Sequence, residues 1–594
     1  MLASETKPFV LLDDARPGGM PARLYRAPLR TIVAATPREV PAALAAVRAA
    51  RADGLHAAGY LNYEAGAALQ PRAPVLAGNE PVLWFGLFDR FDEIAADAVP
   101  ALLPDPAGAW AGAPRPEIDR ETYDARLARV QALIAAGDIY QANLTWQATV
   151  PMLGDPLALY ARLRAASHAG HGAIVATGAR TFLSLSPELF FMLERDQLTC
   201  RPMKGTAMRG TSPDEDCALA RELAADSKQR AENLMIVDLM RNDLSRVAAP
   251  GSVTVPALFA VETYPTVLQM TSTVTATLAP DKDAIDVIEA LFPCGSITGA
   301  PKSRAMAVIA EVEQAPRGVY TGSIGRIDAT GDAMFNVAIR TLAIEDGAAI
   351  LGLGSGIVAD SRAAEEWAEC AAKGLFVTAG QRRFDLIETM AFDPEAGIPR
   401  LERHLARMKA SAELFGFSFD RHDARNELQA ATFRLRTPRR IRLVLAASGA
   451  LAIEVAPPPP SPAGPMTVRI VPRPVAASDF RLRHKTSDRG FYDAARRAAS
   501  VAEVIFADEE GYLSEGSFTS LFVERGGVLV TPPLSRGLLP GVLRAELIDT
   551  GEAVEGELVA ADLAGGFLIG NALRGLMPAI VAPVLVAAAK ESEL

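Results

Sequence analysis

The sequence predicts a mixed α/β (α+β) protein built as two successive units, residues 1–382 and 383–594. Three observations carry that expectation. The chain has 594 residues, several times a typical domain of about 150 residues. Helical and strand patterns alternate along the chain instead of segregating. The clearest linker, Pro457-Pro458-Pro459-Pro460-Ser461-Pro462, falls inside the second half. Proline lacks the donor that helix and sheet require, so this run is expected to join two subdomains.

The elements follow in order. Residues 8–12 and 82–88 read as strands, and 59–64 as a strand leading into a turn, among Ala-rich helical stretches up to about 115. From there a second texture begins, expected to be a core over 116–382. A helical pattern at 123–136 is followed by β runs at 181–185 and 189–193. Residues 227–241 predict a helix whose apolar positions include Leu234, Val237 and Met240. Gly352, Gly354 and Gly356 follow an apolar run and predict a glycine-rich turn, before a helix over 363–375. In the second unit, 384–392 reads as a strand, Leu401–Phe415 as an amphipathic helix and 468–472 as a strand.

Composition sets limits. A hydrophobic fraction of 49% with 22% charged residues is an ordinary globular balance. A formal net charge of −11 argues against nucleic acid or anionic membrane as main partners. It leaves small anionic substrates open, since a local cationic cluster can hold them. Cys200, Cys217, Cys294 and Cys370 include no CxxC pair, so neither a disulfide framework nor a structural zinc site is expected. The first residues lack the apolar core of a secretory signal, and no apolar run reaches the ~18 residues needed to span a bilayer. A cytoplasmic protein is the expectation.

Chemistry concentrates around a few residues. Lys204, in Arg201-Pro202-Met203-Lys204-Gly205-Thr206, lies sixteen positions after Glu188 in Ser184-Leu185-Ser186-Pro187-Glu188. An amine held uncharged is a nucleophile, and a carboxylic acid beside it can protonate a leaving group. Glu366 and Glu369 share a helix face with Lys373 a turn further on, and Glu232 lies on the earlier helix near Arg241 and Arg246. Carboxylates from two helices, without Cys or His, suit a hard cation such as Mg2+, or else form a solvated charged face. The glycine turn can offer N–H groups to an anion. Arg340, read within a strand, suits bidentate carboxylate binding.

Four longer runs occur in order: Glu232 to Asp243 (ENLMIVDLMRND), Gly295 to Lys302 (GSITGAPK), Tyr320 to Gly325 (YTGSIG) and Gly356 to Ser361 (GIVADS). Together they resemble the chorismate-utilising enzyme family of anthranilate, aminodeoxychorismate, isochorismate and salicylate synthases, over roughly residues 1–380. The resemblance implies a large α/β sandwich around a deep site. It implies Mg2+ on Glu232 and Glu369, with Glu366 helping, to bind the ring carboxylate of chorismate. Arg340, Lys373 and the backbone of Gly354, Ser355 and Gly356 would hold the enolpyruvyl carboxylate, with Thr298 and Gln269 on the substrate side. Within the family, the Pro-x-Lys-Gly-Thr form around Lys204 marks the aminodeoxychorismate synthases, where anthranilate synthases carry Ala. The lysine would add at ring C2 while Glu188 protonates the departing C4 hydroxyl; ammonia would then attack C4 and expel the lysine. That role requires a lowered lysine pKa. Gln269 stands where many members have a histidine tied to pyruvate expulsion. Cys294 lies inside a chorismate motif and reads as structural, so ammonia is expected from a separate glutamine amidotransferase subunit or from free ammonium.

The second unit carries His484-Lys485-Thr486, Glu515-Gly516-Ser517-Phe518-Thr519-Ser520 and Leu539-Pro540-Gly541-Val542. A helix N-terminus after Leu-Pro-Gly is a ready phosphate site. These residues resemble the fold-type IV pyridoxal phosphate enzymes, the class of branched-chain and D-amino acid aminotransferases and of aminodeoxychorismate lyase, over about 383–594. The resemblance implies that Lys485 carries pyridoxal 5'-phosphate and Glu515 pairs with its pyridine nitrogen. Arg407, the N–H groups of Gly541 and Val542, and the Thr519/Ser520 pair would take the phosphate and ring contacts. Thr389 matches a catalytic threonine of lyases, and 571–578 a loop lining the substrate side. A homodimer through this half is expected.

The leading expectation is therefore a fused enzyme making 4-aminobenzoate, a folate precursor, from chorismate and ammonia. Two alternatives give the second half to an aminotransferase or to a catalytically silent dimerisation module.

Overall fold

The computed structural model describes residues 2, 7–70, 76, 78, 80–264, 267–345 and 347–582; the end of the expected second unit, from 583 onward, lies outside them. The chain divides into two compact units. One comprises Met1–Ala107, Ala111–Met152 and Pro156–Gln381; the other comprises Gly108–Trp110, Leu153–Asp155 and Arg382–Leu594.

Two antiparallel sheets, each of ten strands among the described residues, make up the first unit. One runs through Gln141–Val150, Ala348–Ile357, Thr341–Glu345, Thr181–Ser186, His171–Ala176 and Phe9–Asp13. The other runs through Met203–Met208, Val267–Thr277, Gln197–Arg201, Leu189–Glu194, Ala333–Asn336, Ser323–Ile327 and His56–Leu61. Their facing sides share a core in which Val10, Tyr25, Ala173 and Phe182 of one sheet meet Ala58, Tyr60, Trp84 and Ile324 of the other. Tyr60 and Phe182 stack edge to face with ring centroids 4.7 Å apart. Each large apolar side chain buried this way contributes roughly 1.5–3 kcal/mol.

The chain passes between the sheets twice at one place. Thr181–Ser186 belongs to the first sheet and Leu189–Glu194 to the second, so Glu188 lies on a crossing. Ala333–Asn336 and Thr341–Glu345 make the return crossing, which carries Arg340. The two crossings are laced together: Val337 N–H donates to the Glu188 carbonyl at 3.1 Å, and Ser186 Oγ donates to the Val337 carbonyl at 2.6 Å.

Three local expectations are corrected. Gly352, Gly354 and Gly356 form no turn; all three lie in the strand Ala348–Ile357, paired with Gln141–Val150. Glycines two apart share one face of a strand, and there neighbours press on the bare backbone. A methyl at Gly352 would stand 2.1 Å from Tyr320 Cγ. Arg340 is not within a strand but in the bend before Thr341, at φ 50. Leu234 is 43% exposed, whereas Ile236, Val237, Met240 and Leu244 form the buried stripe of the helix Ser227–Ser245. Asp226 caps that helix by accepting from Gln229 N–H.

The second unit holds a three-stranded antiparallel sheet, Leu386–Phe392, Arg439–Leu445 and Leu451–Ala456, and an eight-stranded sheet that includes Met466–Pro472, Glu503–Ala507, Leu513–Gly516 and Ser520–Arg525. The proline run connects one to the other. The helix Leu401–Phe415 buries His404, Leu405, Met408, Ser411, Ala412 and Phe415 at helical spacing and ends at Gly416, φ 71, a left-handed cap. Among the described residues, no helix is long and apolar enough to cross a membrane.

Candidate active sites

Lys204 sits in the strand Met203–Met208, whose register against Val267–Thr277 slips between Met203 and Thr206. The slip is made by Gly205 at φ 93, a conformation that favours glycine. Gln269 fastens it: its Nε2 donates to the Gly205 carbonyl at 2.8 Å, and its Oε1 accepts from Thr206 Oγ1 at 2.9 Å. Gln269, expected on the substrate side, thus has both ends engaged by the strand of Lys204. Burial, then the charge of Lys373, holds the Lys204 pKa below its ordinary value, against the pull of Glu188, Glu232 and Glu369. One amine from a strand, two carboxylates and an amine from two helices, and a carboxyl from the crossing thereby form a single electrostatic group.

Glu188 is buried, and its Oε1 accepts from Ser296 Oγ at 2.7 Å. Burial pushes its pKa up to about 6, against that hydrogen bond and the charge of Lys204. Arg340 has its pKa lowered by burial and no carboxylate partner among the described residues; Tyr264 is the group that opposes the shift. Lys373 Nζ donates to the Gly354 carbonyl at 3.0 Å and pairs with Glu369 Oε1 at 2.7 Å. Opposite Gly354 and Gly356, Thr145 gives its N–H to Glu313 and Asn143 gives its N–H to the Thr298 carbonyl, so these are the non-hydrogen-bonded pairs of the ladder, and the two glycines point their N–H groups away from Gln141–Val150, from a strand and not from a turn. Ser355 turns its side chain to the other face, beside Tyr123 and Cys370. Thr298 donates its hydroxyl to the Cys294 and Gly295 carbonyls within its own turn.

The expected three-carboxylate metal clamp is not assembled. Among the described residues, no group of three His, Cys, Asp or Glu side chains could hold a metal ion. Glu369 is taken by Lys373, and Glu366 Oε1 accepts from Ser361 Oγ at 2.7 Å. Arg241 pairs with Asp238, and Arg246 donates to the Ala290 carbonyl, so neither accompanies Glu232. The donor chemistry nonetheless fits a hard cation: burial raises the Glu232 pKa, Lys204 and Lys228 oppose the rise, and the charge of Glu366 adds to it. Two carboxylates that repel each other are eased by a divalent ion between them.

In the second unit three consecutive residues gather the expected cofactor ligands. Leu539 N–H donates to Glu515 Oε2 at 3.1 Å, the Pro540 carbonyl accepts from Arg407 Nη1 at 3.0 Å, and a methyl at Gly541 would stand 2.7 Å from Ser520 Oγ. Gly541 caps the helix Val542–Asp549. A bare backbone, a helix N-terminus, a hydroxyl and a guanidinium make a phosphate cradle that a Cβ would fill. Burial, then the charge of Arg407, lowers the Lys485 pKa to about 7; Arg489 and Arg442 push the same way and Glu388 opposes them. Burial also raises Glu515 to about 7, against its bonds from Tyr492 and Leu539. These residues fit pyridoxal phosphate. Thr519, expected in the cradle, instead donates to the buried Glu503. Thr389 lies opposite Arg442 across the ladder, on the face of its strand away from Glu388.

Sequence reasoning passed over several residues. Gln141 is 2% exposed with its Oε1 unpartnered, and a methyl at Gly356 would lie 2.6 Å from its Nε2 and 3.6 Å from Lys204 Nζ. Its signal was an amide in an otherwise buried strand. Ser296 lay inside a quoted motif without a role. Glu388, beside Thr389, is the anion of the second site: it binds Arg407 through both oxygens, at 2.8 and 2.7 Å, and His404 Nδ1 at 2.6 Å. Those partners hold its pKa well below the carboxylate range despite burial.

Comparison with known proteins agrees with both halves. The family described as chorismate binding enzyme matches residues 8–379, and that described as Amino-transferase class IV matches residues 385–580. The chain is 44% identical over 261 residues to aminodeoxychorismate synthase component 1 of Klebsiella aerogenes, covering 44% of this chain and 57% of that protein. It is 42% identical over 262 residues to anthranilate synthase component 1 of Streptomyces coelicolor, covering 44% and 51%. The crystal structure of anthranilate synthase component I from Streptococcus pneumoniae TIGR4 superposes with a TM-score of 0.53 at 25% identity, over 61% of this chain and 93% of that one. The chain thus spans little more than half the length of the curated relatives it matches.

Proposed function

Since this chain belongs to the chorismate binding enzyme family and carries an amino-transferase class IV domain after it, we propose that it converts chorismate and ammonia into 4-aminobenzoate in two stages. The first stage replaces the C4 hydroxyl of chorismate by an amino group. The second eliminates pyruvate from the aminated ring. The observation that carries this reading is the buried amine of Lys204 beside the buried acid of Glu188.

In the first stage the Lys204 amine attacks ring C2, the double bonds shift, and the C4 oxygen leaves as water on taking the proton of Glu188. Ammonia then attacks C4, the double bonds shift back, and the C2–N bond to Lys204 breaks. Two allylic displacements put nitrogen para to the ring carboxylate. Arg340, with no carboxylate partner among the described residues, holds a substrate carboxylate, and Gln141 faces the same space as Lys204. Glu232 and Glu366, joined by Glu369 on release from Lys373, would hold Mg2+, which supplies charge neutralisation for the ring carboxylate.

In the second stage pyridoxal phosphate, when bound, supplies an electron sink. Lys485 would take the proton from the amine-bearing carbon, Glu515 would pair with the pyridine nitrogen, and Arg407, Ser520 and the Gly541–Val542 backbone would hold the phosphate. Arg442 and Arg489 stand by Lys485, while the one carboxylate acting on that lysine, Glu388, is spent on Arg407. That excess of cations suits a substrate with more than one carboxylate. The protein works in the cytoplasm on ammonia from a separate amidotransferase subunit, as a homodimer through its second half, and its product feeds folate synthesis.

The test is to supply purified protein with chorismate, Mg2+, ammonium and pyridoxal phosphate. The expected product is 4-aminobenzoate. Lys204→Ala should lower the amination rate by at least about 100-fold; an unchanged rate, or an ortho-aminated product from the wild type, refutes the nucleophile. Persistent aminated intermediate would assign the second half to a different reaction.

A further inference from the structure

Glu188 alone does not specify where its proton resides; two buried residues that the proposed mechanism leaves unused do. Ser296 and Cys294 are each 2% exposed, and they lie on the turn Gly295–Ile297 and just before it. Ser296 Oγ stands 2.7 Å from Glu188 Oε1 and 3.3 Å from Cys294 Sγ. The turn is held by the Thr298 hydroxyl on the Cys294 carbonyl and by Arg317 Nη1 on the Ile297 carbonyl at 3.0 Å. Arg317 is itself pinned by Glu313. The hydroxyl facing Glu188 is thus rigidly placed.

Hydrogen counting gives this chain its direction in the ionised form, the state that the proton transfer leaves behind. An ionised carboxylate only accepts, so Ser296 spends its one proton on Oε1. Its lone pairs then accept from Cys294 S–H. Burial pushes the Cys294 thiol up to about 12, so it keeps its proton through the neutral range.

We propose that Ser296, completed by Cys294, is a positioning residue for Glu188: by occupying Oε1 it leaves the transferable proton on Oε2 and steadies the carboxylate that forms when the proton is given up. The inference rests on the general-acid reading of Glu188. In the step itself the Oε2–H bond breaks, its electron pair stays on the carboxylate, and a new O–H bond forms on the departing C4 oxygen. The titratable groups facing Glu188 are Lys204 from the strand Met203–Met208 and Cys294 from the turn; Met203 adds a backbone N–H, and Ser186 and Val337 make neutral contacts on the crossings.

The experiment uses the full-length protein with chorismate, Mg2+ and ammonium, and follows amination against pH for the wild type, Ser296→Ala, Ser296→Thr, Cys294→Ala and Glu188→Gln. Loss of a hydrogen bond to the ionised form raises an acid's pKa. Ser296→Ala should therefore move the alkaline limb of kcat upward by about one pH unit and lower kcat about tenfold, with KM for chorismate little changed. Ser296→Thr should restore the limb. Cys294→Ala should shift it the same way by less, which keeps the test alive if Ser296→Ala does not fold. A lowered rate with an unshifted limb in Ser296→Ala, beside an inactive Glu188→Gln, overturns this inference alone. An active Glu188→Gln overturns the general-acid reading and this inference with it.

Discussion

Lys204 and Lys485 are amines whose pKa values burial lowers, each in different company. Around Lys204 one further cation is set against three carboxylates; around Lys485 three arginines are set against one. The second setting has a consequence for stability in the cofactor-free protein. The folded pKa of Lys485, about 7, lies below its ordinary 10.5, so the unfolded chain binds the extra proton between those values and stability rises with pH across them. The folded pKa of Glu515, also about 7, lies above its ordinary 4.5, so the folded chain binds the extra proton and stability falls as pH climbs from 4.5 to 7. Both penalties coincide near neutrality. Lys485→Met, which removes the lysine penalty, should therefore stabilise the cofactor-free protein at pH 7 by on the order of 4 kcal/mol. The gain should shrink toward zero as pH approaches 10.5. Denaturant unfolding at the two pH values measures it, and an equal effect at both would contradict the account.

At the scale of elements, the glycine strand Ala348–Ile357 decides how near the substrate face Gln141 and Lys204 can come. Gly352→Ala drives a methyl into the Tyr320 ring, and overpacking of that kind costs about 1–3 kcal/mol, readable as a fall in unfolding midpoint. Gly356→Ala meets only the movable amide of Gln141 and the end of Lys204, so its main effect should be on amination, about tenfold or more. A Gly356→Ala enzyme with unchanged amination would remove Gln141 from the site. The same strand shows what was legible beforehand. Glycines two apart satisfy a strand's period as well as a turn's composition, and only the pairing with Gln141–Val150, some two hundred residues away in sequence, separates the two. The helix Leu401–Phe415 was legible to the residue because its buried stripe is local and its end is marked by Gly416. Arg340 was misplaced since a crossing between sheets has the same apolar neighbours as a strand. Gln141, Ser296 and Glu388 were missed for one reason: each acquires meaning from partners distant in sequence, whereas Lys204 and Lys485 stood within long runs of distinctive residues.

For the whole molecule, the decisive feature is that the residues proposed for each stage fall within one compact unit. Glu188, Lys204, Glu232, Arg340, Glu366 and Lys373 belong to the first; Glu388, Arg407, Lys485, Glu515 and Gly541 belong to the second. With the named residues of each set confined to its own unit, the two proposed stages should be separable by single substitutions. Lys485→Ala should halt 4-aminobenzoate formation while amination of chorismate continues at the wild-type rate, and 4-amino-4-deoxychorismate should accumulate in stoichiometric amount. Lys204→Ala should do the reverse: it should make no aminated product from chorismate, yet release 4-aminobenzoate when given 4-amino-4-deoxychorismate. Chromatography of the quenched mixtures distinguishes the three compounds. If Lys485→Ala instead slowed amination, the first site would depend on the second unit in a way that the contents of neither site require. If Lys204→Ala failed to process the supplied intermediate, the second unit would be an aminotransferase or a silent module, and its cation-rich pocket would need another dicarboxylate to explain it.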